Sequence, residues 1–198
     1  MGPWTGCARD WLLAGGRSQQ AAAPPLLPRF RTSGQKVHSA VFRPPAEAGV
    51  GAEMLFTGIR LAGGRVAEPE VYPRPDGTVY VCGEGVDPVP STALPAPGQV
   101  PVEAQRVDAI RAQAAAVATC LAQAPLESSA ACHLPLTPDG LPALGPVPGC
   151  SGAWLATGHS CWGVLNGPAT GQLLAEWIAT GAPPAGVDLA PFSPARFQ

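Results

Sequence analysis

The amino-acid sequence predicts an α+β fold: a mixed, mainly antiparallel sheet with a helix packed on it. Three observations carry this reading. Residues 70–84 form a hairpin pattern around Asp76-Gly77, and residues 102–123 bear an apolar stripe of helical period. The last third runs from a short apolar strand through glycine-punctuated chain into a second amphipathic helix.

Each element has its local reason. Gln35 to Phe42 is rich in β-branched and aromatic residues and reads as a strand, with a shorter one at Glu53 to Phe56. Val71-Tyr72 and Thr78 to Cys82 are the arms of the hairpin, since Asp-Gly accepts the positive φ of a tight turn. Prolines 73 and 75 place its first arm short or at an edge. Residues 85–100 read as a Pro-rich connector. In the helix, Val107, Ile110, Ala114, Val117 and Leu121 recur at steps of three and four, with Pro101 near its start and Pro125 beyond its end. Ala130 to Leu136 reads as a strand, Thr137-Pro-Asp-Gly140 as a turn, and Ala153 to Thr157 as a strand. A loop is expected over 158–167, then a helix over Pro168 to Ala179 with Leu173, Leu174, Trp177 and Ile178 inward and Gly181 closing it. The stretch 14–30 is low in complexity, and the Pro-rich tail after Pro183 is expected to be loose.

Composition bounds the function. Only 13% of the 198 residues are charged, and 24 glycines and 25 prolines imply a loop-rich body. Twelve basic against 14 acidic residues, with Lys36 the only lysine, leave no electrostatic footprint for nucleic acid or an anionic membrane. No apolar run approaches the ~18 residues of a membrane span. Trp11 to Leu13 is too short for a signal-peptide core, so a soluble cytoplasmic protein is expected. The six cysteines (7, 82, 120, 132, 150 and 161) contain no Cys-x-x-Cys pair, and His38, His133 and His159 lack zinc-ligand spacing. No metal is expected, and the cysteines read as reduced thiols, mostly small buried hydrophobes.

The segment 153–171, AWLATGHSCWGVLNGPATG, carries the chemistry. Gly158, Gly163 and Gly167 allow close backbone approach to a ligand, and the amides at the start of the following helix favour an anionic or electron-rich atom. On spacing alone, a ligand cradle and a plain strand-to-helix loop both stay open.

Three motifs in order, Thr137-Pro-Asp-Gly-Leu-Pro-Ala-Leu-Gly145, Ala156-Thr-Gly-His-Ser-Cys-Trp-Gly163 and Gly167-Pro-Ala-Thr-Gly171, resemble the C-terminal half of FAD-dependent oxidoreductases of the D-amino-acid oxidase, glycine oxidase and sarcosine oxidase superfamily. Residues 70–83 are similar to that family's substrate-domain sheet, and Met1-Gly-Pro-Trp-Thr-Gly6 to its turn beside the flavin. The resemblance implies an FAD cofactor and a small-molecule substrate. The backbone at Gly158, His159, Gly163, Val164 and Leu165 would border the isoalloxazine ring, with His159 a structural loop residue. It also implies that the strand 153–157 and the helix after it close an FAD-binding domain of the glutathione-reductase type. The division would be 1–34 as flavin-domain remnant and connector, 35–130 as substrate-type domain, 131–182 as the C-terminal part of the flavin domain, and 183–198 as tail. Cys132, seven residues before Asp139, stands where sarcosine-oxidase-like members carry the cysteine bonded to the flavin.

Two departures follow. The arginine that grips a substrate carboxylate in many members is here Leu134, leaving Arg74 as a substitute or as a solvated hairpin residue. No Gly-x-Gly-x-x-Gly run exists, and Gly83-Glu-Gly85 stops short of one. The chain is therefore expected to look like the C-terminal half of a flavoprotein, with weak or no flavin retention and an exposed sheet edge. A non-catalytic remnant or partner-binding fragment is the alternative. A hydrolase is disfavoured, since Gly-x-Ser-x-Gly is unmet around Ser160 and no histidine follows that serine.

Overall fold

The computed structural model describes residues 11–14, 27, 29–96 and 98–198. The expected turn at residues 1–6 and most of the 14–30 stretch lie outside the described residues. In chain order the strands are β1 (Trp11–Ala14), β2 (Ser33–Phe42), β3 (Leu55–Phe56), β4 (Ile59–Arg60), β5 (Val66–Ala67), β6 (Glu70–Pro73), β7 (Val79–Gly83) and β8 (Val89–Pro90). Helix α1 (Ala104–Val117) follows, then β9 (Leu126–Leu136), β10 (Ala143–Pro146), β11 (Ala153–Thr157) and helix α2 (Gly163–Thr180). The chain forms two compact units, one of Lys36–Asp87 with Pro95–His133, the other of the residues up to Gln35 with Pro88–Leu94 and Leu134–Gln198.

The first unit is the antiparallel sheet with its helix. Strands β3, β6, β7 and β2 are neighbours in that order, with Tyr72 opposite Tyr80 and Val41 opposite Tyr80 in turn; β9 also pairs β2. The hairpin turn is as expected: Arg74 N–H bonds Thr78 O at 2.8 Å and Gly77 has φ 79°. Strand β2 alternates strictly between half-buried and buried positions, the period-two pattern of a strand with one face on a core. Ala40, Phe42, Val71, Val79 and Val81 meet Val107, Ile110 and Ala114 of α1 in one cluster.

The same face buries Lys36 and His38, and both are satisfied. The Lys36 ammonium donates to Glu103 Oε1 at 2.6 Å. The Glu103 N–H donates to His38 Nε2 at 3.3 Å, so the imidazole proton sits on Nδ1, 3.3 Å from Glu84 O. No side chain caps α1 in the usual manner; His38 takes the Glu103 amide instead. The Glu84 side chain is buried between Arg65, Arg106 and Gln113. Burial alone would raise its pKa, but the hydrogen bonds from Arg106 and Arg65 hold it below the ordinary carboxylate value.

The second unit contains the sheet β1-β11-β10, β1 parallel and β10 antiparallel to β11, and β8 paired with the first residues of β2. Leu27, Phe30, Ala143, Val147, Leu155 and Phe197 form one cluster; Leu144, Trp154 and Leu174 form another. Gly181 ends α2 at φ 75°, as expected, with its N–H on Trp177 O at 2.9 Å.

Four expectations are corrected. Helix α1 stops at Val117 and gives way to a 3-10 turn at Thr119–Leu121. Helix α2 begins at Gly163, so Pro168 lies inside it. The tail is not loose: Pro194–Phe197 is a 3-10 helix, and Phe197, 5% exposed, stacks on Phe30 at 5.1 Å. Among the described residues the thiols are not mostly buried: Cys132 and Cys161 are exposed, and Cys82, Cys120 and Cys150 are half-buried, all free.

Candidate functional site

Strand β11 delivers the chain to a sharp crossover. Gly158 has φ +81°, and a Cβ there would lie 2.4 Å from Thr137 Cγ2, so glycine is required on both counts. His159 follows, then Ser160 at φ 52°, a left-handed conformation uncommon outside glycine and asparagine. Residues 160–162 make one 3-10 turn, with Trp162 N–H on His159 O at 2.9 Å, and α2 begins at Gly163 without a side-chain cap. Its first amides therefore present the positive end of the helix outward. Val164 is 95% exposed and Leu165 71%.

An open hollow of about 540 Å³ lies against this crossover. Gly158, Trp162 and Asn166 of the crossover line it together with Gly140, Pro142 and Phe192. That volume is within the ~300–1,000 Å³ usual for small-molecule and cofactor sites. Along α2, Gly163, Gly167 and Gly171 share a second open groove with Ala156 and Leu174, and a Cβ at Gly167 or Gly171 would meet nothing within 4 Å. Thr157 Oγ1, at the end of β11, is the buried side-chain polar atom left without a partner among the described residues.

These observations test whether a flavin ring fits. The hollow has the room, the helix start offers amides for an electron-rich edge, and Leu144, Trp162, Leu173 and Phe192 supply apolar lining. The ring portion of FAD fits the residues present.

His159 is tied down. Its Nε2 lies 2.9 Å from Thr170 Oγ1 on α2, and burial holds its pKa below the ordinary imidazole value, so it is neutral at pH 7. A ring pinned to the helix orients the crossover.

Gly158, His159, Gly163, Val164 and Leu165 thus come together in one unit. Cys132 belongs to the other unit, on β9, and partial burial raises its thiol pKa. Leu134 is half-buried. Arg74 is exposed, its guanidinium 5.1 Å from the Tyr80 ring centre; Tyr80 in turn neighbours Tyr72 at 5.9 Å. The sequence reading missed Phe192 in the hollow and the strained Ser160. The run Ser193-Pro-Ala-Arg-Phe197 held the signal for the first, because serine followed by proline opens a helix. Ser193 Oγ does accept the Ala195 N–H, at 3.2 Å.

The chain is similar to known proteins. The model of the FAD dependent oxidoreductase family matches residues 6–177. Over 161 residues the chain is 33% identical to a Schizosaccharomyces pombe protein whose name assigns it to the oxidoreductases without a substrate, covering 80% of this chain and 40% of that protein. It is 36% identical over 139 residues to a glycine oxidase of Pseudomonas aeruginosa, covering 68% of this chain and 33% of the relative. The glycine oxidase structure from Geobacillus kaustophilus superposes with a TM-score of 0.60 at 26% identity, over 82% of this chain and 38% of that one. The Bacillus cereus glycine oxidase structure shares the fold, at a TM-score of 0.69 and 19% identity over 88% of this chain and 44% of that one. The chain spans roughly a third to two-fifths of the length of these two curated relatives. With a mixed, mainly antiparallel α/β body, a glycine-broken crossover opening on a ring-sized hollow and a family match across residues 6–177, the chain belongs to the FAD dependent oxidoreductase family.

Proposed function

We propose that this chain carries the ring-side part of a flavin-dependent oxidase or dehydrogenase acting on a small amine or amino acid. The observation that carries the reading is the uncapped start of α2 projecting beside an open hollow. In this reading β11 and α2 are the last strand and helix of the FAD-binding layer. When bound, the flavin would accept a hydride from a carbon next to nitrogen and pass the electrons to an acceptor.

The chain's own residues set the scene for that chemistry. Gly158 turns the backbone tightly enough for the amides at Gly163, Val164 and Leu165 to face the ring. The α2 dipole offsets negative charge at its start. His159 fixes the crossover through Thr170. The relatives named glycine oxidase support a small amine-bearing substrate. Leu134 cannot hold a carboxylate, which favours an amine without one at that place. Arg74, exposed and over the Tyr80 ring, is a cation that an acid group could reach. Burial raises the Cys132 thiol pKa, which works against a thiolate there. Cys132 is exposed on β9 of the other unit, and flavin remaining in an acid-precipitated pellet would identify a thioether there.

The test uses lumiflavin, FMN and AMP as separate probes of the purified chain, read by quenching of tryptophan fluorescence. Ring-bearing probes should quench saturably and AMP should not. Equal responses to all three, or to none, would remove the reading and leave a protein that uses the family fold without flavin.

A further inference from the structure

We propose that the C-terminal segment from Leu189 to Phe197 forms the outer wall of the ring hollow, and that Arg196 is the positioning residue that holds this wall. The inference rests on the reading that the hollow takes the flavin ring.

The Arg196 guanidinium uses its donors on two pieces of chain at once. Its Nε donates to Asp139 Oδ2 at 2.6 Å and its Nη2 to Asp139 Oδ1 at 3.2 Å. Nη2 also reaches Leu141 O at 2.8 Å and Pro142 O at 3.0 Å, while Nη1 bonds Ser193 O at 3.0 Å. The plane lies 4.2 Å from the centre of the Phe197 ring. One planar fork thus ties the tail to a carboxylate and two carbonyls of the 139–142 turn, which a lysine's point charge cannot do.

Of the tied residues Pro142 lines the hollow itself, and the others flank lining residues: Asp139 and Leu141 on either side of Gly140, and Ser193 next to Phe192. Gly140 and Pro142 come from the turn and Phe192 from the tail, and all three line the hollow together with Trp162 and Asn166. The clasp also reaches the crossover itself. Asp139 Oδ1 accepts from Thr137 Oγ1 at 3.1 Å and from the Leu141 N–H at 3.1 Å, and Thr137 is the side chain against which Gly158 is packed. The turn's own hydrogen bonds, Gly140 N–H to Thr137 O at 3.2 Å among them, hold it to itself, while Arg196 ties it to the tail, so a lost guanidinium frees the turn from the Phe192 segment where the ring would sit.

The experiment compares wild type with R196Q, R196K and F192L, well below each melting midpoint. F192L keeps apolar packing against Leu144, Trp154 and Leu174. Lumiflavin affinity is read by tryptophan quenching, the ring's long-wavelength absorption band reports its surroundings, and amide hydrogen exchange follows residues 140–144 without ligand. We expect R196Q to weaken lumiflavin about tenfold and to speed exchange at Leu141 and Ala143. R196K should recover only part of this. F192L should alter the absorption band with little change in melting temperature, a result that a purely structural role would not give. A wild-type chain with no affinity for the ring would overturn this proposal together with the flavin reading. Wild-type affinity that R196Q and F192L leave untouched would overturn this proposal alone.

Discussion

Gly158 concentrates two demands in one residue. Alanine there would have to adopt φ +81° and to sit 2.4 Å from Thr137 Cγ2. Left-handed backbone costs a residue with a Cβ about 1–2 kcal/mol, and overpacking adds about 1–3. G158A should therefore destabilise the protein by about 3 kcal/mol, measured by urea denaturation. Adding T137S removes the opposing methyl while keeping the hydroxyl that bonds Asp139 and Leu141. The double variant should regain the packing part and none of the backbone part; full recovery would show that the left-handed conformation costs nothing. His159 supports a second expectation. Burial lowers its pKa from 6.5, so protons bind the unfolded chain more readily than the folded one. Stability should fall as pH drops below about 6.5, and H159Q should lack that part of the slope. A variant with the same pH dependence as wild type would assign the slope to other groups.

At the scale of elements, strands and turns were legible where side-chain period and turn chemistry agree. The hairpin through Asp76-Gly77, the strand Ala153–Thr157 and the Gly181 helix end all match their local signals. Helix ends were less legible, for identifiable reasons. The stripe of α1 runs on to Leu121, but β-branched Val117 and Thr119 flank Ala118, which leaves the helix at φ −144°. The kink still delivers Leu121 to the core, and Arg111 donates to Ala124 O at 2.7 Å beyond it. In α2 the glycines at 163 and 167 read as loop residues, yet the helix runs through both and accommodates Pro168. The 137–142 turn makes a testable claim of its own. Hydrogen bonds from Arg196 hold the Asp139 carboxyl down from 3.8 to about 2. The stabilisation is present above pH 3.8 and is lost as pH falls through about 2. Asp139 is 37% exposed, so solvent screening cuts its worth to on the order of 1 kcal/mol. The stability gap between wild type and D139N should narrow on that scale from pH 5 to pH 2, followed by urea titration at each pH. A constant gap would mean that the carboxylate charge contributes nothing to the clasp.

Across the whole molecule, the candidate cradle was readable because it occupies one continuous stretch, Thr157 to Asn166, whose glycines and helix start are local signals. The rest of the hollow's lining was not, because it joins Gly140 and Pro142 to Phe192, some fifty residues later in the chain, and long-range packing leaves no periodic trace. The same holds for β1, whose pairing to β11 is parallel and non-local. Among the described residues the helix-bearing sheet and the β10–β11 region each bury their own hydrophobic cluster, and these clusters share no residue. No helix there is long and apolar enough to cross a membrane. Ile110 and Leu155, each 0% exposed, stand at the centre of one cluster apiece. I110V and L155V each remove one buried methylene and should each cost about 1 kcal/mol. Because the sites have no shared packing partner, the double variant should lose the sum of the two to within about 0.5 kcal/mol. Equilibrium urea unfolding of the four proteins closes the cycle. An interaction energy well above that margin would show that the two clusters respond as one core, and that a change in the helix-bearing sheet is felt in the unit that carries the ring hollow.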